Sequence, residues 1–228
     1  MKEMTEAELA SYFDHTLLRT AATESEFQDL CADAAANGFK MVAINPYAVE
    51  LCKTFLGDSD VHVGAAIAFP LGQATLSTKL FETRDALENG ADEIDYVINQ
   101  TRLKAGDLDY IEKEMREIVS LCREYGAVSK VIFENCYLTD DEKIQLCEIA
   151  NRVSPDFIKT STGFGTGGAT LEDVRLMREH AADHIKIKAS GGVRTLDEAL
   201  KFIDAGAERI GSTASVRIMN EFKSLNIS

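Results

Sequence analysis

The chain is short of positive charge. Its 228 residues hold 24 Lys and Arg against 38 Asp and Glu, a net charge of −14. Gripping a nucleic-acid backbone takes a basic surface, so no nucleic-acid partner is expected. The acidity makes a self-repelling surface but leaves a small anionic substrate open, because a phosphate responds to its local site. No apolar run approaches the roughly 20 residues that span a bilayer, which argues against a membrane partner. Met1–Leu9 is charged and lacks an apolar stretch, so no secretory signal is expected. The five cysteines (Cys31, Cys52, Cys122, Cys136 and Cys147) are odd in number and contain no C-x-x-C pair. They fit a reducing cytoplasm and small buried side chains. His15, His62, His180 and His184 show neither H-x-H nor H-E-x-x-H spacing, so no catalytic metal is expected. No serine sits in G-x-S-x-G, which argues against an acyl-transfer nucleophile. No G-x-G-x-x-G follows the first predicted strand, which weakens the case for an open, doubly wound sheet.

What is present is a repeat. A helix-like run, then Gly, then a β-rich apolar run recurs at Gly38 before Phe39–Asn45, at Gly90 before Asp92–Asn99, at Gly126 before Val128–Asn135 and at Gly206 before Glu208–Gly211. Glycine just past a helix supplies the left-handed residue that closes the last turn. Thr23 with Glu26, Thr139 with Glu142 and Thr195 with Glu198 have capping-box spacing. Leu76, Leu80, Thr83 and Leu87 share one helical face, as do Leu196, Ala199, Leu200 and Ile203. Further strands are expected at Tyr12–Leu17, Val61–Phe69, Asp156–Ser161 and Asp183–Ala189, and the last at Ala207–Gly211. That makes roughly eight β–α units with no dividing linker. Alternating units imply a parallel sheet with right-handed crossovers. In a length near the roughly 250 residues of such folds, they predict one α/β domain over 1–228, a (β/α)8 TIM barrel.

Active sites in such barrels sit at the C-terminal ends of the strands. Lys159 ends the predicted sixth strand. A buried lysine is costly as a cation, and burial or a neighbouring cation lowers its pKa. The neutral amine attacks carbonyls; the alternative is a lysine whose ammonium simply snorkels to water. Lys188 ends the next strand and should stand beside Lys159, an arrangement suited to lowering an amine pKa toward the roughly 7–8 useful at neutral pH. Asp95, in Glu93-Ile94-Asp95-Tyr96-Val97, shares a face with Glu93 and Val97. It would relay protons, or serve as a counter-ion to the lysines; the two roles are compatible. Glycine-rich turns follow the last three strands at Gly163-Phe164-Gly165, Gly191-Gly192 and Gly211-Ser212-Thr213. Backbone N–H groups in such turns bind phosphate.

The strings Lys159–Phe164 (KTSTGF) and Lys188–Thr195 (KASGGVRT), with Asp95 between Ile94 and Tyr96 and with Asp14-His15-Thr16-Leu17-Leu18, resemble the deoxyribose-phosphate aldolase family over about Asp14 to Thr213. The resemblance implies a Schiff-base aldolase without cofactor. Such an enzyme reversibly cleaves 2-deoxy-D-ribose 5-phosphate to acetaldehyde and D-glyceraldehyde 3-phosphate. It implies Lys159 as the imine-forming residue, Lys188 as its pKa-lowering neighbour, and Asp95 working with Lys188 and a water. It implies a substrate site drawn from Asp14, Thr160, Gly163, Gly191, Gly192, Arg194, Gly211 and Thr213, a small phosphorylated sugar as partner, and a homodimer. Two other readings are a Schiff-base barrel aldolase for another sugar phosphate and a barrel that binds a sugar phosphate without turnover.

The sequence departs from the family pattern at three places. Some members end in a tail whose terminal Tyr assists protonation, and Ser224–Ser228 contains no Tyr. Lys186 stands where a small residue is common and is expected to pair with Glu134 or Glu93. Ala43 stands where members often carry Cys, which removes a thiol that aldehydes could attack. An Ala43→Cys variant is therefore expected to lose activity in acetaldehyde faster than the parent chain; equal rates would count against this role for position 43.

Overall fold

The structure, a computed structural model, describes residues 4–226. Met1–Glu3 and Ile227–Ser228 lie outside it, and with them the ends of the charged N-terminal and Tyr-free C-terminal stretches. Among the described residues eight strands run in parallel: β1 (Phe13–Leu17), β2 (Met41–Ile44), β3 (His62–Ile67), β4 (Glu93–Val97), β5 (Val128–Ile132), β6 (Phe157–Lys159), β7 (Lys186–Ser190) and β8 (Arg209–Ser212). Each pairs with the next and β8 returns to β1, so the sheet closes as the expected barrel. Between them run α2 (Glu24–Asn37), α3 (Val49–Leu56), α4 (Leu76–Glu88), α5 (Gln100–Lys104), α6 (Leu108–Glu124), α7 (Asp140–Val153), α8 (Leu171–His180) and α9 (Leu196–Asp204), with α10 (Ser215–Asn226) after β8.

Local chemistry explains the boundaries. Glu26, Glu142 and Glu198 accept the backbone N–H of Thr23, Thr139 and Thr195 at 2.8, 2.8 and 3.0 Å, so all three expected capping boxes form. Gly38 caps α2 in the left-handed region (φ 67°). A further capping box, Thr5 with Glu8, opens a short helix α1 (Glu6–Ala10) that the apolar pattern did not reveal. It buries Leu9 and Ala10. The strands are shorter than expected. Asp183 and His184 are exposed, and Ile185 N–H closes a turn onto Ala182 O (2.9 Å), so β7 begins only at Lys186.

Alternation along the strands separates two interiors. Val42, Ile44, Val63, Ile94, Tyr96, Val131, Ile158, Ile187 and Ile210 face the helices and are fully buried in the apolar core. The other face turns Glu93, Asp95, Lys130, Lys159, Lys188 and Arg209 into a lumen shared with Met41 and Phe157. A barrel lumen is ordinarily filled by Val, Ile and Leu; this one holds charge. Gly64 makes room for Met41, whose Sδ would lie 2.2 Å from a Cβ at that position.

One expectation needs correction. Lys186 has no acidic partner within ion-pair distance among the described residues. It opens β7 at the N-terminal mouth, where it is exposed and its Nζ lies 5.6 Å from the Phe157 ring centroid. Water solvates it there, while Glu93 is engaged by Lys130 and Arg209. The buried face of α4 is Lys79, Thr83, Ala86 and Leu87, with Leu76 and Leu80 only partly covered. Lys79 can lie there because Glu114 of α6 meets it at 2.8 Å, both side chains being fully buried. Lys79 also donates to Val97 O (2.7 Å), and Glu114 accepts the Asn99 N–H (3.0 Å). The pair thus ties two helices to the end of β4.

Removing one partner of a buried pair strands the other. Glu114→Ala should lower unfolding stability by about 3–5 kcal/mol, read from the urea midpoint. A loss under about 1 kcal/mol would show that water reaches Lys79.

Candidate active site

Residues midway along β4, β5 and β7 and at the end of β6 build the charged centre. Lys159 of β6 and Lys188 of β7 are register partners, as are Asp95 of β4 and Lys130 of β5. Oδ2 of Asp95 accepts from Lys159 at 2.8 Å and from Lys188 at 2.7 Å, while Oδ1 accepts from Lys130 at 2.7 Å. One carboxylate therefore holds three lysines. Lys188 also meets Asp14, Arg209 meets Asp14 at 2.5 Å and Glu93 at 3.4 Å, and Lys130 meets Glu93. His62 joins from the N-terminal side, 2.7 Å from Glu93.

With every group ionised, the lumen holds four cations (Lys130, Lys159, Lys188, Arg209) and three anions (Asp14, Glu93, Asp95). Giving up one proton balances it. Burial, reinforced by Lys188 and Lys130 and opposed by Asp95, brings Lys159 down to about 8. Lys130 moves the other way: burial lowers it, but Asp95, Glu93 and Asp14 outweigh that and hold it above the ordinary lysine range. Burial pushes Asp95 up, yet Lys130, Lys159 and Lys188 together hold it well below the usual carboxylate range. Lys159 can thus be a neutral, nucleophilic amine near neutral pH beside a fixed carboxylate.

A cavity of about 260 Å³ opens above the two lysines. Its wall includes Lys159, Lys188, Gly163, Gly191, Gly192, Arg194, Gly211 and Thr213, all expected, and Ala43 is part of it too. Phe164 and Ser212, of the expected glycine-rich turns, line it as well, and so do Thr16, Leu18, Arg19, Thr162 and Ser190, which the sequence did not single out as site residues. The loops after β6 and β7 pack backbone against backbone. Gly168 takes no side chain, since a Cβ there would fall 2.1 Å from Gly191 O. Ala169 N–H donates to Ser190 O (3.1 Å) and Gly191 O (3.0 Å). The α9 and α10 helices begin just after the two following turns. Peptide N–H groups, helix starts and the exposed Arg194 make a setting for an anion.

Two expected substrate contacts do not line this cavity. Asp14 is fully buried beneath it, engaged by Lys188 and Arg209. Thr160 points away from the lumen, its hydroxyl accepting from Ser190 N–H (3.2 Å) and lying 3.3 Å from Ser190 O. Asp95 lies behind the lysines. Lys130, Arg209 and Glu93 were not anticipated as parts of the site. Their signal was available: a charge inside a β-rich run, as in Lys130-Val131-Ile132.

Barrel, buried lysine pair and glycine-walled hollow together define an enzyme of the barrel aldolase class. The sequence model for the DeoC/LacD family aldolase matches residues 9–217, and the chain belongs to this family. It is 54% identical over 216 residues to the deoxyribose-phosphate aldolase of Lactobacillus acidophilus, covering 95% of this chain and 91% of that one. It is 50% identical over 214 residues to that of Thermococcus gammatolerans, covering 93% and 95%. The tetrameric deoxyribose phosphate aldolase of Aeropyrum pernix superposes with a TM-score of 0.88 at 35% identity, over 97% of this chain and 93% of that one.

The charge arrangement sets the sign of two perturbations. Lys188→Met removes a cation that disfavours the Lys159 ammonium, so the Lys159 pKa should rise from about 8. Asp95→Asn removes the anion that favours it, so the pKa should fall. NMR titration of 13Cε-labelled lysine would read both; a wild-type Lys159 titrating near the ordinary value of about 10.4 would sink this account.

Proposed function

We propose that this chain is an aldolase that reversibly cleaves 2-deoxy-D-ribose 5-phosphate to acetaldehyde and D-glyceraldehyde 3-phosphate through a Schiff base on Lys159. The observation that carries the reading is Lys159 itself: buried at the cavity floor, brought down to about 8, and 2.8 Å from Asp95. The two relatives named for this activity share about half of their residues with it over nearly the whole chain.

Neutral Lys159 adds to C1 of the open-chain sugar, and loss of water gives an iminium. Its C=N bond is the electron sink. As the 3-hydroxyl gives up its proton, the C2–C3 bond breaks, glyceraldehyde 3-phosphate leaves, and the electron pair forms an enamine on Lys159. Protonation at C2 and hydrolysis release acetaldehyde and return the amine. The iminium supplies the sink, so the reading assigns no cofactor. Three lysines make Asp95 a weak base by itself. The reading therefore moves the proton along Lys188, Asp95 and a water rather than to Asp95 alone. Gly163, Gly191, Gly192, Gly211, Thr213 and Arg194 hold the phosphate, and that hold turns binding energy into orientation of C1 at the amine.

A cytoplasmic location and a homodimer belong to the same reading. No helix among the described residues is long and apolar enough to cross a membrane.

Acetaldehyde followed by borohydride should leave a secondary amine on Lys159, mapped by mass spectrometry and lost in Lys159→Leu. Turnover with acetaldehyde and not dihydroxyacetone phosphate as donor should accompany it. An adduct on Lys188 instead would reverse the assigned roles; no adduct on folded protein would leave a binding protein.

A further inference from the structure

Glu134 takes no part in the chemistry above, yet it is tightly constrained. It follows β5 with a left-handed backbone (φ 56°, ψ 62°), a conformation few residues other than glycine adopt. Such strain persists where surrounding structure demands the geometry. Its side chain is 3% exposed and has no cation within ion-pair distance among the described residues. Both carboxyl oxygens turn instead to one residue of the loop after β6. Oε1 accepts the Thr162 N–H at 3.1 Å, and Oε2 accepts the Thr162 hydroxyl. That hydroxyl accepts the Phe164 N–H in turn, at 3.0 Å.

Neighbouring contacts close the arrangement. Asn135 N–H donates to Thr160 O at 2.9 Å. Gly165 packs on the carboxyl so closely that a Cβ there would lie 3.3 Å from Glu134 Cδ. Thr162, Gly163 and Phe164 all line the active cavity, and Phe164 is braced edge-on by Phe69 at 5.4 Å between ring centroids. One buried carboxyl thus fixes the turn that carries Gly163. A buried polar group with its hydrogen bonds made is rigid; the same group with them broken is costly, so the turn has one favoured shape.

We infer that Glu134 is a positioning residue for phosphate recognition: through Thr162 it sets the turn at Gly163 against Gly191, and so selects phosphorylated sugars over free ones. The inference rests on the proposed aldolase reading and on its assignment of these turns to the phosphate.

The test compares deoxyribose 5-phosphate with unphosphorylated deoxyribose in wild type, Glu134→Gln and Thr162→Val. The glutamine keeps the size of the side chain but presents an N–H2 group where one acceptor was needed; the valine removes the hydroxyl link and keeps the shape. Each should raise KM for the phosphorylated sugar about tenfold, the scale of one lost charge-assisted hydrogen bond, with kcat within about twofold. In Glu134→Gln, whose side chain lies outside the cavity wall, the kcat/KM for free deoxyribose and the borohydride adduct on Lys159 should hardly move. Thr162→Ser, which restores the hydroxyl, should recover most of what Thr162→Val loses, and the double variant should be no worse than the more affected single one. A fall in kcat on both sugars would place Glu134 in the chemistry and overturn the inference. So would variants that keep the wild-type preference for the phosphorylated sugar. A wild type that forms the adduct but handles both sugars alike would instead refute the phosphate-site assignment on which the inference stands.

Discussion

Charge buried in the barrel lumen sets the terms for everything else. Moving a carboxylate or ammonium from water into a medium of low dielectric costs about 20 kcal/mol in the idealised case and still several kcal/mol after relaxation. Asp14, Glu93, Asp95, Lys130, Lys188 and Arg209 are each at most 5% exposed, so they persist only as a mutually compensating set. Three anions balance three cations. Lys159, the fourth cation, is the excess, and it lies where a proton can leave through the cavity. The lowered pKa of Lys159 thus follows from its burial together with the charge balance of the whole lumen, with no single neighbour responsible for it.

The register of the sheet makes that balance geometrically possible. Lys159 beside Lys188 and Asp95 beside Lys130 are direct cross-strand partners, and Gly211 beside Asp14 leaves space at the top of the lumen. A side chain on Gly211 would fall 3.3 Å from Lys188 Cε and 2.8 Å from Ser190 Cβ, crowding the lysine that stands beside Lys159. Outside the strands the apolar layer of Val, Ile and Leu holds the register against the repulsion among cations. The ion network does not stabilise the barrel by itself; well-packed apolar residues can do that better than buried ion pairs. Its value is in the chemistry it prepares.

Much of this is legible in the sequence. The repeat of Gly, strand and helix announced the barrel, and Thr–x–x–Glu spacing placed three helix starts where the capping boxes form. Lys159, Lys188 and Asp95 could be read because they close strands or sit in a distinctive string. Lys130 and Arg209 were not, because attention to strand ends passes over charges that open or occupy the middle of a strand. Their pairing depends on register across β5 and β8, which a linear reading does not contain. Lys186 was misread for a related reason. Alternation gives the face of a residue but not its depth, and at the mouth of the barrel water serves as its partner. Glu134 was offered a lysine and holds a threonine, since the left-handed backbone that redirects it has no signature in sequence.

The acidity of the chain and the anionic substrate of the proposed reaction are reconciled by distance. A phosphate dianion left bare near Lys159 would favour its ammonium form and raise its pKa. That would oppose the lowering that burial and Lys188 produce. In the proposed reading, a cradle of peptide N–H groups with Arg194 at the rim would offset the dianion's charge and limit its effect on the amine. Backbone donors suit this task better than further lysines in the lumen, which would upset its charge balance. On that reading, the separation of a charge-balanced floor from a glycine-built upper wall would let one small cavity hold an anion and still present a neutral amine.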